Sequence, residues 1–165
     1  MRSKGESKMD SFEFILNGKS VIYEGSASDR LLDILRDYFH LTAVKCGCKE
    51  GACGACSVII NGKLTNSCIV SVGSIIGDNI TTLEGYRNTE KFKILDKAFA
   101  DCSAVQCGFC TSGMIMAAEC ILSANPHPDE DEIRYGLSGN LCRCTGYNAI
   151  VRAIMQASRE GDGLW

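Results

Sequence analysis

Eleven cysteines among 165 residues fall mostly into two close groups, and their spacing constrains the fold more than any other feature of the sequence. The first group is Cys48-x4-Cys53-x2-Cys56, followed after eleven residues by Cys68; the second is Cys107-x2-Cys110, followed after thirty-one by Cys142-x-Cys144. The opening MRSKGESKMD is positively charged, but no apolar stretch follows it and it has no twin-arginine pair, so nothing there reads as an export signal. The expectation is a soluble, cytoplasmic chain. In a reducing compartment, clustered thiols serve as metal ligands rather than as a disulfide framework. The odd count agrees, because an all-disulfide monomer would leave at least one thiol unpaired. The two histidines, His40 and His127, lie far apart with no neighbouring cysteine, so a metal site here is built from sulfur, and a Rieske centre lacks its two histidine ligands.

Composition removes two further classes. The longest nearly apolar stretch, Met114 to Leu122, is interrupted by Glu119 and falls short of the ~20 apolar residues of a membrane span. Seventeen basic against twenty acidic residues give a net charge of −3 with no basic stripe, which argues against a nucleic-acid partner.

Along the chain, Ser11 to Leu16 and Lys19 to Tyr23 alternate in polarity around Asn17-Gly18, the pattern of a hairpin with a type I′ turn. Leu31, Ile34, Leu35, Tyr38 and Phe39 recur at helical spacing, with Ser28 as the expected N-cap. After the Cys46 to Cys56 loop come strand patterns at Ser57 to Ile60, Lys63 to Cys68 and Ile80 to Leu83, with a second Asn-Gly turn at Asn61-Gly62. The polar GYRNTE segment, 85–90, then separates a period near two from one near 3.6. Helices are expected around Phe92 to Cys102, Met114 to Leu122, with the acidic run Asp129 to Glu132 at the N-terminus of a third, and over Asn148 to Ser158. The fold class is therefore α+β followed by an all-α four-helix bundle. The expected division is a polar tail 1–10, an α+β domain 11–84, a linker 85–90, a helical domain 91–160 and a tail 161–165.

The first cysteine group has the plant-type ferredoxin spacing, in which four thiolates hold a 2Fe-2S cluster. Three ligands within nine residues require a loop that wraps the metal, and Gly47, Gly51 and Gly54 are expected to supply positive φ. Four thiolates also satisfy zinc, although zinc sites usually pair two short knuckles and only one is present. Spacing alone makes the second group a four-thiolate metal site and goes no further. Arg143, between two of its cysteines, either offsets an anionic cluster or is an ordinary surface arginine.

QCGFCTSGM from Gln106 to Met114 and GNLCRCTGY from Gly139 to Tyr147 resemble the second iron-sulfur motif of the molybdenum hydroxylases, the xanthine oxidase and aldehyde oxidoreductase family, and GCKEGACGAC from Gly47 to Cys56 resembles their first. The resemblance runs from about Phe12 to Ser158 and implies a β-grasp ferredoxin-like domain followed by a four-helix bundle, each with one 2Fe-2S cluster. It implies that Cys48, Cys53, Cys56 and Cys68 bind one cluster and Cys107, Cys110, Cys142 and Cys144 the other. It also implies that Gln106 and the region of Cys144 touch the molybdopterin of a large subunit. By the same resemblance, electrons would pass singly from molybdenum to the bundle cluster, to the ferredoxin-like cluster, and to FAD in a medium subunit. On its residues alone, Gln106 reads as a loop amide bonded to nearby backbone. Ser112 departs from the proline that many relatives carry.

Cys46, Cys102 and Cys120 remain as unligated thiols, the last two as small buried hydrophobes. No dinucleotide fingerprint, P-loop or acid/base set appears, so the chain has no substrate-converting site of its own. A free-standing 2Fe-2S carrier or redox sensor, and a zinc-stapled interaction module, are the other readings the residues allow.

Overall fold

A computed structural model describes residues 10–165; the expected polar tail lies outside the described residues except for Asp10, which already begins a strand. Strands β1 (Asp10–Leu16) and β2 (Lys19–Gly25) form an antiparallel hairpin in register Phe14↔Val21. Asn17 and Gly18 both take positive φ, as a type I′ turn requires, and Asn61 and Gly62 repeat this between β3 (Ser57–Ile60) and β4 (Lys63–Asn66). Strand β5 (Asn79–Thr81) joins the two hairpins, parallel to β1 and antiparallel to β3, giving the sheet order β2-β1-β5-β3-β4.

Phe12, Phe14 and Leu16 on alternate positions of β1 bury against Leu31, Leu32 and Leu35, the apolar face of the helical segment that crosses the sheet. That segment differs from the expectation. Helix α1 (Leu31–Asp33) passes directly into a π-turn over Ile34–Tyr38, and its N-cap is Arg30 rather than Ser28. The Asp29 carboxylate is already occupied, accepting from the Ser26 amide and the Tyr23 hydroxyl.

Two other expected strand ends are also corrected. β4 stops at Asn66, and Ser67–Ile69 forms a 3-10 turn in which the Ser67 amide and hydroxyl both donate to the Cys56 carbonyl. Leu83 belongs to a short helix, α2 (Leu83–Tyr86), whose Tyr86 enters the helical core; the polar run 85–90 therefore carries structure.

Helices α3 (Glu90–Asp101), α4 (Thr111–Ala124), α5 (Glu130–Gly136) and α6 (Asn148–Glu160) make the bundle. Helix α4 is buried on nearly every side, with Met114, Ile115, Met116 and Leu122 in the core. Its outer neighbours include Ile59 and Leu64 from the sheet, so the sheet packs α1 on one face and α4 on the other. Residues 161–165 are no free tail: the Trp165 ring lies over Gly161 and its indole N–H donates to Glu119 in α4. Among the described residues no helix is long and apolar enough to cross a membrane.

Candidate metal centres

The first cysteine group lies in the loop between the π-turn and β3, with Cys68 delivered by the 3-10 turn after β4. Its thiols lie close enough to influence one another's ionisation, Cys53 acting on Cys48, and Cys56 and Cys48 on Cys68. Backbone amides point at sulfur: Gly51 donates to Cys68 Sγ at 3.2 Å, and Ala52 and Glu50 donate to Cys48 Sγ at 3.3 and 3.5 Å. Gly51 and Gly54 achieve this with φ of +81° and +67°. Gly47 works otherwise than expected. Its φ is not positive; its missing Cβ leaves room for Cys53 Sγ, which would stand 2.6 Å from an added carbon.

The second group meets at one end of the bundle, where the loop before α4 faces the loop before α6. Cys107 and Cys144 approach at 3.7 Å, and Cys110 lies near both Cys142 and Cys107. The Thr145 hydroxyl donates to Cys142 Sγ at 3.1 Å. Tyr147, held at φ +67°, accepts from the Cys142 amide through its hydroxyl at 3.0 Å and donates to the Asn140 carbonyl at 3.2 Å. Cys107, Cys144, Arg143 and Gln106 are all exposed.

As free thiols these groups are unequal. The Glu50 amide, against the cost of desolvation, and then the Ala52 amide draw Cys48 down to about 7. Burial pushes Cys68 up to about 11, with Cys56 adding to it. Burial likewise pushes Cys110 up to about 12, helped by Cys142. Burial opposes ionisation of Cys142, yet its bonds from Thr145 bring it below the ordinary value, while the Cys107 thiol holds Cys144 above it. A coordinating metal removes such protons outright.

Each donor set is four cysteines, a chemistry that iron-sulfur clusters and zinc share. Amides aimed at sulfur suit an anionic cluster. Of the other cysteines, Cys102 donates to Gln156 and Cys120 is pushed up to about 11 by burial.

Sequence reasoning passed over the residues that hold the loops. Asn140, Tyr147, Thr145 and Ser57 brace ligands or the loops carrying them, and Gly113 stands where an added Cβ would collide with the Gly54 carbonyl. All but Ser57 sit inside the two motifs quoted for the second site. Periodicity and ligand spacing contain nothing that singles them out.

Comparison with known proteins shows the family of the chain. Residues 3–97 match the family described as 2Fe-2S iron-sulfur cluster binding domain, and residues 82–155 match the 2Fe-2S binding domain family. The chain is 46% identical over 142 residues to the nicotinate dehydrogenase small FeS subunit of Eubacterium barkeri, covering 86% of this chain and 90% of the relative. It is 41% identical over 142 residues to the nicotine 6-hydroxylase small subunit of Paenarthrobacter nicotinovorans, covering 86% of each. A chain of the crystal structure of quinoline 2-oxidoreductase from Pseudomonas putida 86 superposes with a TM-score of 0.88 at 40% identity, covering 94% of this chain and 96% of that one.

Proposed function

Since this chain belongs to the molybdenum hydroxylase family as a 2Fe-2S electron-transfer subunit, we propose that its two thiol sets hold one 2Fe-2S cluster each. Cys48, Cys53, Cys56 and Cys68 bind the first; Cys107, Cys110, Cys142 and Cys144 bind the second. The observation that carries this reading is that backbone amides donate to the sulfurs of Cys48 and Cys68, while Cys107 and Cys144 meet at 3.7 Å. Bound there, the clusters supply one-electron exchange and no bond-making chemistry.

The protein contributes position, insulation and hydrogen bonds. Cys56 and Cys68 are buried and keep water from one side of the first site, while the amides of Gly51 and Ala52 stabilise negative charge on sulfur. Cys107 and Cys144 open onto a surface that also exposes the large apolar side chains Val105, Phe109 and Leu141. Such a face suits a molybdopterin-binding large subunit, with Gln106 and Cys144 in reach of the pterin. A medium subunit carrying FAD then takes electrons from the first set. A reducing compartment suits eight cluster-binding cysteines and three unligated ones, and the cytoplasm is the location this reading assigns.

Iron and acid-labile sulfide in the purified full chain each come to about four per chain, two for each four-cysteine site. Stoichiometric zinc without visible absorption would overturn the reading. In the assembled complex, Gln106→Ala keeps all its iron, because no thiolate is lost, and alters the molybdenum EPR signal. Lost iron with an unchanged molybdenum signal would make Gln106 a brace of its own loop.

A further inference from the structure

The two thiol sets are not merely neighbours: one hydrogen bond joins their loops beside a ligand of each. The amide of Leu141, adjacent to Cys142, donates to the carbonyl of Cys53 at 2.9 Å. Around this bond the loops press together backbone to backbone. Asn140 is 3% exposed and donates through Nδ2 to the Gly54 carbonyl at 3.1 Å and to Ser57 Oγ at 3.2 Å. Ser57 in turn donates to the same Gly54 carbonyl at 2.7 Å. The Asn140 amide would stand 2.6 Å from a Cβ built on Gly54, and Gly113 of α4 lies against both the Gly54 carbonyl and the Asn140 amide.

A buried side-chain amide is costly unless its donors are used, and Asn140 uses its donor group on the loop of the other site. Neither acceptor is a sulfur, so the contact does not set ligand basicity. Its consequence is geometric: Gly54 follows Cys53, and Asn140 precedes Leu141. Fixing Gly54 to Asn140 therefore fixes the Cys53 carbonyl on the Leu141 amide.

Resting on the reading that both sets carry clusters, we propose that Asn140 is a positioning residue for electron exchange between them. It holds closed the bridge that runs from Cys53 Sγ through its carbonyl, the Leu141 amide and the Cys142 backbone to Cys142 Sγ. One electron leaves one site, which is oxidised by one, and enters the other, which is reduced by one. No bond breaks, and the amide proton stays on nitrogen. Phe109 is the rival route. It lies between the ligands Cys107 and Cys110, and its ring would touch a Cβ placed on Gly47 at 3.8 Å, beside Cys53.

The test uses the full chain with both clusters assembled, reduced by a sub-stoichiometric pulse of electrons and followed by rapid-freeze EPR. Asn140→Ala keeps iron, sulfide and both midpoint potentials and shows a several-fold loss in the rate at which the electron redistributes. Leu141→Pro, which deletes the donor N–H, reproduces that loss, and Leu141→Ala, which keeps it, does not. An unchanged rate in loaded Asn140→Ala or loaded Leu141→Pro overturns the proposal, as does a loss confined to Phe109→Ala. Loss of iron in both Asn140→Ala and Leu141→Pro overturns it too, because the residues would then build the sites rather than join them. A wild-type chain that binds no iron would instead sink the cluster reading on which this one rests.

Discussion

Ser112 sits in the first turn of α4, two residues after Cys110, and its hydroxyl is buried with no hydrogen-bond partner among the described residues. An unsatisfied buried hydroxyl costs about 1–3 kcal/mol. Ser112→Ala removes the hydroxyl without opening a large cavity, so the variant should be more stable by about 1 kcal/mol in chemical denaturation. A loss of stability would show that the hydroxyl is bonded after all. The cysteine loops mark where single-residue reading of the sequence stops. The ligand cysteines announce themselves because a metal loop needs them at short, fixed intervals. Which glycines serve conformation and which serve close approach cannot be read from the letters: Gly51 needs positive φ, Gly47 and Gly113 need the absence of a Cβ against Cys53 Sγ and the Gly54 carbonyl, and Gly54 needs both. That distinction arises only when separate stretches of loop meet.

At the level of elements, legibility followed how local the cause was. Both Asn-Gly hairpins were readable because the turn residues and the flanking alternation act within a few residues of each other. The π-turn at Ile34–Tyr38 and the early end of β4 were not. For the first, the structure offers no local cause beyond the burial of Leu31, Leu32 and Leu35; the second follows from Ser67 turning back to the Cys56 carbonyl, which brings Cys68 under the Gly51 amide. Helix α5 shows the local case in energetic form. Asp129 accepts from the Glu132 amide at 2.8 Å while Glu132 accepts from the Asp129 amide at 2.9 Å, a complete capping box on a helix of seven residues. So short a helix has little intrinsic stability. Asp129→Ala should cost about 1 kcal/mol, with the loss appearing first in hydrogen exchange over Glu130–Gly136. An unchanged melting curve and exchange pattern would mean that Ile133 in the core holds the helix without its cap.

Across the whole molecule, the two cores are tied at the thiol loops, and the helical core is tied again at Glu119, a carboxylate on α4 that collects donors from four places. Tyr86 of α2 and the Trp165 indole share Oε2, the indole at 2.8 Å, while Lys91 of α3 and Ser123 reach Oε1 at 3.3 and 2.8 Å. Glu119 is the residue that interrupts the apolar run of α4, so its presence was plain in the sequence. Its role was not, because its partners are spread from Tyr86 to Trp165. Burial, and then the Glu119 carboxylate, hold the Tyr86 phenol above its usual range, which keeps it a donor. Lys91 lies 5.7 Å over the Trp165 ring and closes the group. Hydrogen bonds to a charged acceptor contribute about 1.5–3 kcal/mol each, so Tyr86→Phe and Trp165→Phe should each destabilise the chain within or just below that range. Because both donors serve one oxygen, removing either lets the other bond the freed charge more strongly. The second loss should then exceed the first, and the double variant should depart from additivity by at least ~0.5 kcal/mol. Denaturant midpoints of the two single variants and the double variant, taken at constant m, measure this directly. Additivity within ~0.3 kcal/mol would mean that Tyr86 and Trp165 act independently, and that residues 161–165 are anchored by the ring's packing over Gly161 rather than by the shared carboxylate.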